Sequence, residues 1–423
     1  MQVGSGYKPA RSETEGLELG SKTHSFEAAC QDAVGSLRAA LVALFDSIGV
    51  DPSVPQDVAR RYHLNKTLTW NISRLLQAPD SIAAVPHVPG TQALEKMLKA
   101  TSDDGASAEA VKRVRAASRA FDEIVEVHVG DRTTLDLVLD GMANGSGGDG
   151  LELSRKLAYR GNSGLYGVQA KARVMAWTIA PNAEDPSLLD LAMISGYAGF
   201  RRLRNNVRWP IIKVRSWATS DQPITRPLWH PLEGDPESPM ALMPSFSSID
   251  EREIDLVTTE EGLDCHLLPG RIGNVGAFDC IRGEMMLAAA NRYKDDEDST
   301  GEVGASITTP SEVLLFDLIV HRDLENAMEP EAMIFSRIVA SGVKTPERDD
   351  ESALPIRLRL VDLPGTPPAM ATPLVPRYSE ITALMADRLG RRPEEFRAKR
   401  LLLDYPPLNS NVILRFPLLP APR

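Results

Sequence analysis

Cysteine is scarce in this chain. Cys30, Cys265 and Cys280 are the only three among 423 residues, and no Cys-x-x-Cys pair exists. An odd count at wide spacing supports neither a disulfide framework nor a thiolate zinc site, and fits a reducing, cytoplasmic setting. Histidine is equally sparse: seven residues lie without metal-ligand spacing, and HExxH is absent. No metal and no cofactor is therefore expected. Long apolar runs are missing as well. EVLLFDLIV at 312–320 is short and interrupted by acids, well below the roughly 20 apolar residues of a membrane helix, so no membrane association is expected. The first residues, MQVGSGYKPARSETEGLELGSK, have no apolar core and do not read as a secretory leader. Residues 1–24 read as a flexible tail.

What the chain does have is length and unevenly placed charge. Its 423 residues favour two or three domains, and 43% hydrophobic with 25% charged residues is ordinary globular composition. The net charge of −11 argues against indiscriminate nucleic-acid binding over the whole surface. Yet residues 155–215 hold eleven Lys and Arg against three acids, a local balance of +8 that leaves −19 for the rest. Much of that negative charge sits in IDEREID (249–255) and KDDEDSTGE (294–302).

The first third reads as helical. Leu37, Leu41, Leu44, Phe45 and Ile48 recur at helical spacing in 34–48, with Gly49 as a stop. Further helices are expected over 91–100, over 108–128 and over 133–142. GMANGSGGDG (141–150) has the composition of a linker, which sets a helical domain at 25–142, a Gly-rich linker at 143–150 and a second region at 151–423. In that region Ile356, Leu358 and Leu360 alternate with Arg357 and Arg359, and Gln169, Lys171 and Arg173 alternate with smaller residues, which is strand-like. A helix is expected over 379–389, ended by Gly390. The fold class expected is α+β: an all-helical N-terminal domain followed by a mixed α/β C-terminal region, with a subdivision near 294–304.

The most informative stretch is PQDVARRYHLNKTLTWNISRLLQ, residues 55–77. It reads as two short helices joined by a tight turn. Ala59 is the small residue that lets the second helix cross closely, and Val58, Tyr62, Leu64, Leu68 and Ile72 stand where the two helices should lock. Over these 23 residues the chain resembles the helix-turn-helix of DNA-binding transcriptional regulators. It departs from that pattern at His63, where glycine is usual in a left-handed turn position, and at Thr69, where a branched aliphatic is usual. The resemblance implies a DNA-binding set of Arg60, Arg61, Asn65, Lys66, Trp70, Ser73, Arg74 and Gln77. In it, amides and guanidinium read base edges while Lys66, Arg60 and Arg61 meet phosphates. Trp70 in the middle of such a face calls for a cover, which DNA, a neighbouring helix or a dimer partner would supply.

Other motifs carry less. GFRRLRNNVRWP (199–210) gathers Arg201, Arg202, Arg204 and Arg208 near Trp209, with Trp177 and Trp217 close in sequence. It reads as an anion or nucleic-acid patch, or else as arginines paired with the region's own acids around a tryptophan core. HRDL at 321–324 imitates a kinase catalytic loop but has Met328 where the metal-binding Asn belongs. GSGGDG at 145–150 lacks the preceding strand of a dinucleotide site. GNSGLYG and GRIGNVG suit turns as well as phosphate loops. Adjacent Cys265 and His266 would point to opposite faces of a strand. A second helix-turn-helix-like stretch, ALMADRLGRRPEEFRAKRLL, has Lys399 where an apolar contact is needed and reads as a helix and a solvated turn.

No catalytic residue is named on these grounds. The function expected is that of a cytoplasmic transcriptional regulator binding double-stranded DNA as a homodimer, with a C-terminal region that dimerises, senses a small anionic ligand or contacts a partner. The alternatives are a non-enzymatic assembly protein using the helical bundle as its binding surface, and an enzyme with an unrecognised C-terminal site.

Overall fold

The computed structural model describes residues 26–143, 151–215, 229–249, 251–259, 262–295, 299–338 and 352–422. The expected tail, the Gly-rich stretch 144–150 and Trp217 lie outside the described residues. The chain divides into two compact units, one up to Met142 and one from Ala143 onward.

The first unit is helical: α1 (Phe26–Ser47), α2 (Pro55–Arg61), α3 (Lys66–Gln77), α4 (Ser81–Ala84), α5 (Thr91–Asp103), α6 (Ala108–His128) and α7 (Arg132–Ala143). The long helices α1 and α6 pack together. Val34, Leu37, Leu41, Leu44 and Phe45 of α1 share one core with Val111, Val114, Phe121 and Val125 of α6. Burying one such leucine is worth roughly 1.5–3 kcal/mol, so this seam organises the unit. Among the described residues α1 is the one helix long and apolar enough, by length and composition alone, to cross a membrane. That corrects the expectation that no span comes near that length. Its most apolar stripe is core here. Gly49 follows α1 at φ +61°, the left-handed stop its position suggested. Side-chain caps define other helix starts, with Asp80 Oδ1 accepting from Ala83 N–H at 2.8 Å and Ser107 Oγ from Ala110 N–H at 3.1 Å.

The second unit overturns the expected mixed α/β region. Among the described residues it holds thirteen strands in three sheets and only two helices, α8 (Glu152–Tyr166) and α9 (Tyr378–Arg388). The strands are β1 (Val168–Pro181), β2 (Leu188–Arg202), β3 (Trp209–Arg215), β4 (His230–Pro231), β5 (Ile254–Thr259), β6 (Gly262–Leu267), β7 (Phe278–Asn291), β8 (Thr300–Ile307), β9 (Ser311–His321), β10 (Glu331–Ser336), β11 (Leu360–Leu363), β12 (Phe396–Asp404) and β13 (Ser410–Pro417). The main sheet runs β11-β12-β9-β1-β2-β7-β4, with β1 and β9 parallel and the other pairs antiparallel. The sheets β10-β13-β8 and β3-β6-β5 are each antiparallel.

The strand-like alternation at Gln169, Lys171 and Arg173 falls in β1, and the reason the rest of the sheet is not legible is physical. In the middle of β1 both faces are covered, with Val174, Met175 and Ala176 all buried in succession, so the strand does not alternate in hydropathy. One face packs on α9 through Ala172, Val174, Ile194, Ile281, Ile381 and Met385. On the other, Met175, Ile179, Phe316 and Leu318 meet Val303, Val412 and Leu414 of the β8–β13 sheet. GNSGLYG is the last part of α8, closed by Gly167 at φ +74°. A Cβ there would lie 2.5 Å from Arg204 Nε. The second helix-turn-helix-like stretch is α9, a 3-10 turn and β12. Its Lys399 is buried between Glu329 and Asp362, at 3.1 and 3.0 Å, rather than solvated.

Candidate nucleic-acid interface

The α2–α3 pair is built from local rules. Pro55 opens α2 at a first-turn position where its missing N–H is no loss, and Asp57 favours the positive end of the helix dipole. Val58 and Ala59 turn inward. After Tyr62 the chain reverses at His63, which adopts φ +51°. The left-handed conformation that glycine usually supplies is thus taken by histidine, at a modest steric cost. Leu64 N–H then donates to Ala59 C=O at 3.1 Å, closing the turn over the small residue.

Asn65 starts α3: its side chain accepts the Thr67 amide at 2.7 Å. Leu68, Ile72 and Leu75 face the core. Thr69, standing where an aliphatic was anticipated, is buried and donates its hydroxyl to Lys66 C=O at 3.1 Å, so it brings no unsatisfied polar group. The far end is closed by Arg38 of α1, whose guanidinium donates to Leu76 C=O at 2.9 Å and Ala78 C=O at 3.0 Å. A cation on the terminal carbonyls both satisfies them and complements the dipole.

Lys66, Trp70, Arg74 and Gln77 are exposed on the outer side of α3. Trp70 is 47% exposed, with the Arg74 guanidinium 4.8 Å from its ring centroid and His87 edge-on at 5.9 Å. Burial first, and then the Arg74 charge, hold the His87 imidazole below its ordinary pKa. Beside Trp70 lies an open hollow of about 350 Å³ bounded by Pro55, Gln56, Lys66, Thr67 and Thr69. No acidic residue occurs in α3.

The remaining residues of the expected set are placed differently. Ser73 is a correction: it is 6% exposed, and its hydroxyl accepts from Gln77 Nε2 at 3.2 Å. By helical angle alone it stands about 20° from Lys66, on the side away from Trp70. However, α4 and the 3-10 turn Val85–His87 fold back onto α3, and Ser73 positions Gln77 rather than facing outward. Arg60 is exposed and pairs with Asp57 at 3.1 Å. Arg61 is tied to Asp104 at 2.6 Å, and the same carboxylate accepts from Tyr62 Oη at 2.8 Å. Burial, and then that hydrogen bond, push the Tyr62 phenol up to about 12. His87 and Arg38 were not anticipated. His87 sits in a proline-containing connector, and Arg38 on a core helix.

The expected arginine patch of the second unit does not form a free cationic surface. Arg202 is 1% exposed and bonded to Glu253 at 2.7 Å and Leu268 C=O at 3.0 Å. Arg201 pairs with Glu312 at 3.0 Å, Arg208 with Asp255, and Arg204 donates to Leu165 C=O at 2.9 Å. The acidic residues far along the chain that balance this basic stretch fold back onto it. Trp209 donates to Thr309 Oγ1 at 2.9 Å and Trp177 to Gly304 C=O at 3.1 Å.

No protein-family model matches the chain, and no curated protein matches it in sequence. Among solved structures it is similar to a chain described as a "putative protease" from Parabacteroides distasonis, at 6% identity and a TM-score of 0.25. That likeness covers 59% of this chain and 40% of the other, and bears on neither fold nor activity.

Proposed function

We propose that the helical unit binds double-stranded DNA through the outer side of α3, and that the chain acts as a cytoplasmic transcriptional regulator. The observation that carries this reading is the Lys66–Trp70–Arg74 face, cationic and exposed on a helix that contains no acid. The left-handed His63 turn and the close crossing over Ala59 support the helix-turn-helix comparison. In this role Gln77 and Arg74 meet base edges, while Lys66 and Arg60 meet phosphates. One short helix offers little contact area, so specific binding calls for a homodimer with two half-sites.

The test is a titration of a mixed-sequence duplex by fluorescence anisotropy at several salt concentrations. Affinity is expected to fall steeply with salt, and Lys66→Glu or Arg74→Glu to weaken it about tenfold and flatten the log–log slope by about one. Salt-independent binding, or variants that bind like the parent, would overturn the proposal. The half-exposed Trp70 also suits a protein partner. On that second reading, Trp70→Ala abolishes self-association or partner binding while duplex DNA has no effect.

A further inference from the structure

We propose that the second unit binds a small organic anion, a phosphate or carboxylate joined to an apolar body, in a cavity at the meeting of its three sheets. The cavity measures about 400 Å³, within the range of small-molecule sites. Its floor is one face of the main sheet, laid out by register. Arg173 of β1 stands opposite Tyr197 of β2, which stands opposite Cys280 of β7; in the next row Met175, Ser195 and Arg282 align. β3 contributes Ile212 and Lys213 as one wall and β8 contributes Gly304 and Ser306 as another.

The charge of this lining is one-sided. Arg173, Lys213, Arg282 and Arg337 border the cavity, and among the described residues no Asp or Glu does. Lys213 and Arg282 have carboxylate partners outside it, Asp264 and Glu284. Arg173 has none among the described residues, although it is 6% exposed. Its guanidinium is held by neutral acceptors: Ser306 C=O at 3.1 Å, Val174 C=O at 2.5 Å, Gly196 C=O at 3.0 Å and Ser195 Oγ at 3.0 Å. These bonds fix the fork in place without neutralising it. A buried, unneutralised cation is costly, and proteins usually pair it. Burial, followed by repulsion from Arg282, lowers the Arg173 pKa, in keeping with a charge that lacks its counter-ion. Arg282 adds a second donor: its Nε is buried and has no hydrogen-bond partner among the described residues. Two fixed guanidinium groups beside the rim cation Arg337 form a receptor for an oxyanion. Trp177, Met193 and Ile212 supply apolar surface for the rest of the ligand.

This inference is independent of the DNA reading and is tested without DNA. The full chain is titrated calorimetrically with phenyl phosphate, inorganic phosphate and benzyl alcohol. Phenyl phosphate is expected to bind saturably, at least about tenfold more tightly than inorganic phosphate, while benzyl alcohol gives no saturable heat. Arg337→Glu, on the exposed rim, is expected to weaken phenyl phosphate about tenfold with an unchanged melting curve. The double variant Arg282→Gln/Glu284→Gln removes the pair as a neutral unit and is expected to do the same. No saturable binding up to about 10 mM, equal binding of benzyl alcohol, phosphate binding as tightly as phenyl phosphate, or undiminished affinity in both variants would each overturn the proposal.

Discussion

Arg74 lies over the indole of Trp70, its guanidinium carbon 4.8 Å from the ring centroid, one turn further along the same helix. The pairing holds a large apolar ring at the surface under a flat cation and fixes the orientation of both. A surface cation–π contact contributes only about 0.5–1 kcal/mol, so it matters more for shape than for stability. Trp70→Ala is expected to leave the melting temperature nearly unchanged while weakening duplex binding roughly tenfold. Trp70→Phe, which keeps a ring under Arg74, is expected to retain most of the affinity. Anisotropy titrations of the two variants against the parent check this.

Stability of the second unit rests partly on one buried ion pair. Asp317 is fully buried, and Arg400 grips it through Nε at 2.9 Å and Nη2 at 2.8 Å. Arg400 also donates to Met370 C=O and Ala371 C=O, tying β12 to the segment before α9. Arg400→Met strands the carboxylate and is expected to cost about 3–5 kcal/mol. Arg400→Met combined with Asp317→Leu removes both charges and is expected to recover much of that loss. Denaturant midpoints of the three proteins decide it.

The three thiols are buried and free. Burial pushes Cys280 up to about 12 and Cys265 up to about 11, and raises Cys30. A thiol so held offers almost no thiolate near neutral pH. In the folded protein at pH 8, a chromogenic disulfide reagent is expected to react negligibly, and in denaturant all three thiols should titrate. Rapid labelling of native Cys280 would contradict the buried arrangement.

Acid sensitivity has a named source. His321 is buried, and its Nε2 has no hydrogen-bond partner among the described residues. Burial lowers its pKa, assisted by Arg391 and Arg322 and opposed by Asp323 and Glu395. Because the folded value lies below the unfolded one, the unfolded chain takes the proton first. The contribution is therefore intact above about pH 6.5 and lost as pH falls through the lowered folded value. The melting temperature is expected to drop between pH 7.5 and 5.5, and less so in His321→Gln. His87, also lowered, acts in the same window, so His87→Gln measured alongside separates the two.

How much of this was legible depended on whether the signal was local. The periodicity of α1 and α6, the Gly49 stop and the turn before α3 are short-range patterns, and they could be read from spacing. Most strands of the main sheet could not, the alternating start of β1 at Gln169, Lys171 and Arg173 apart. In the middle of β1 both faces are buried, so its residues show no alternation there. Residues 354–360 show the opposite failure. Leu354, Ile356 and Leu358 do alternate and pack against the core, yet the strand begins only at Leu360. Of the two readings of the arginine stretch, pairing with the region's own acids is the one that holds, but the particular partners of Arg201 and Arg202, Glu312 and Glu253, lie too far along the chain to be named from sequence. Arg173 is the sharpest case. Strand alternation groups it with Lys171 on a polar side, whereas it is almost wholly buried between three sheets. Only the fold shows that, among the described residues, its charge has no carboxylate beside it.

The most direct test of the DNA-binding proposal is the indole N–H resonance of Trp70, assigned by its loss in Trp70→Phe, followed by nuclear magnetic resonance as duplex is added to the whole protein. A saturable shift or broadening of that resonance, reversed by added salt and larger than at the other tryptophans, is the expected result. A Trp70 resonance that stays fixed while duplex binds elsewhere, or while none binds at all, would remove α3 as the contact surface.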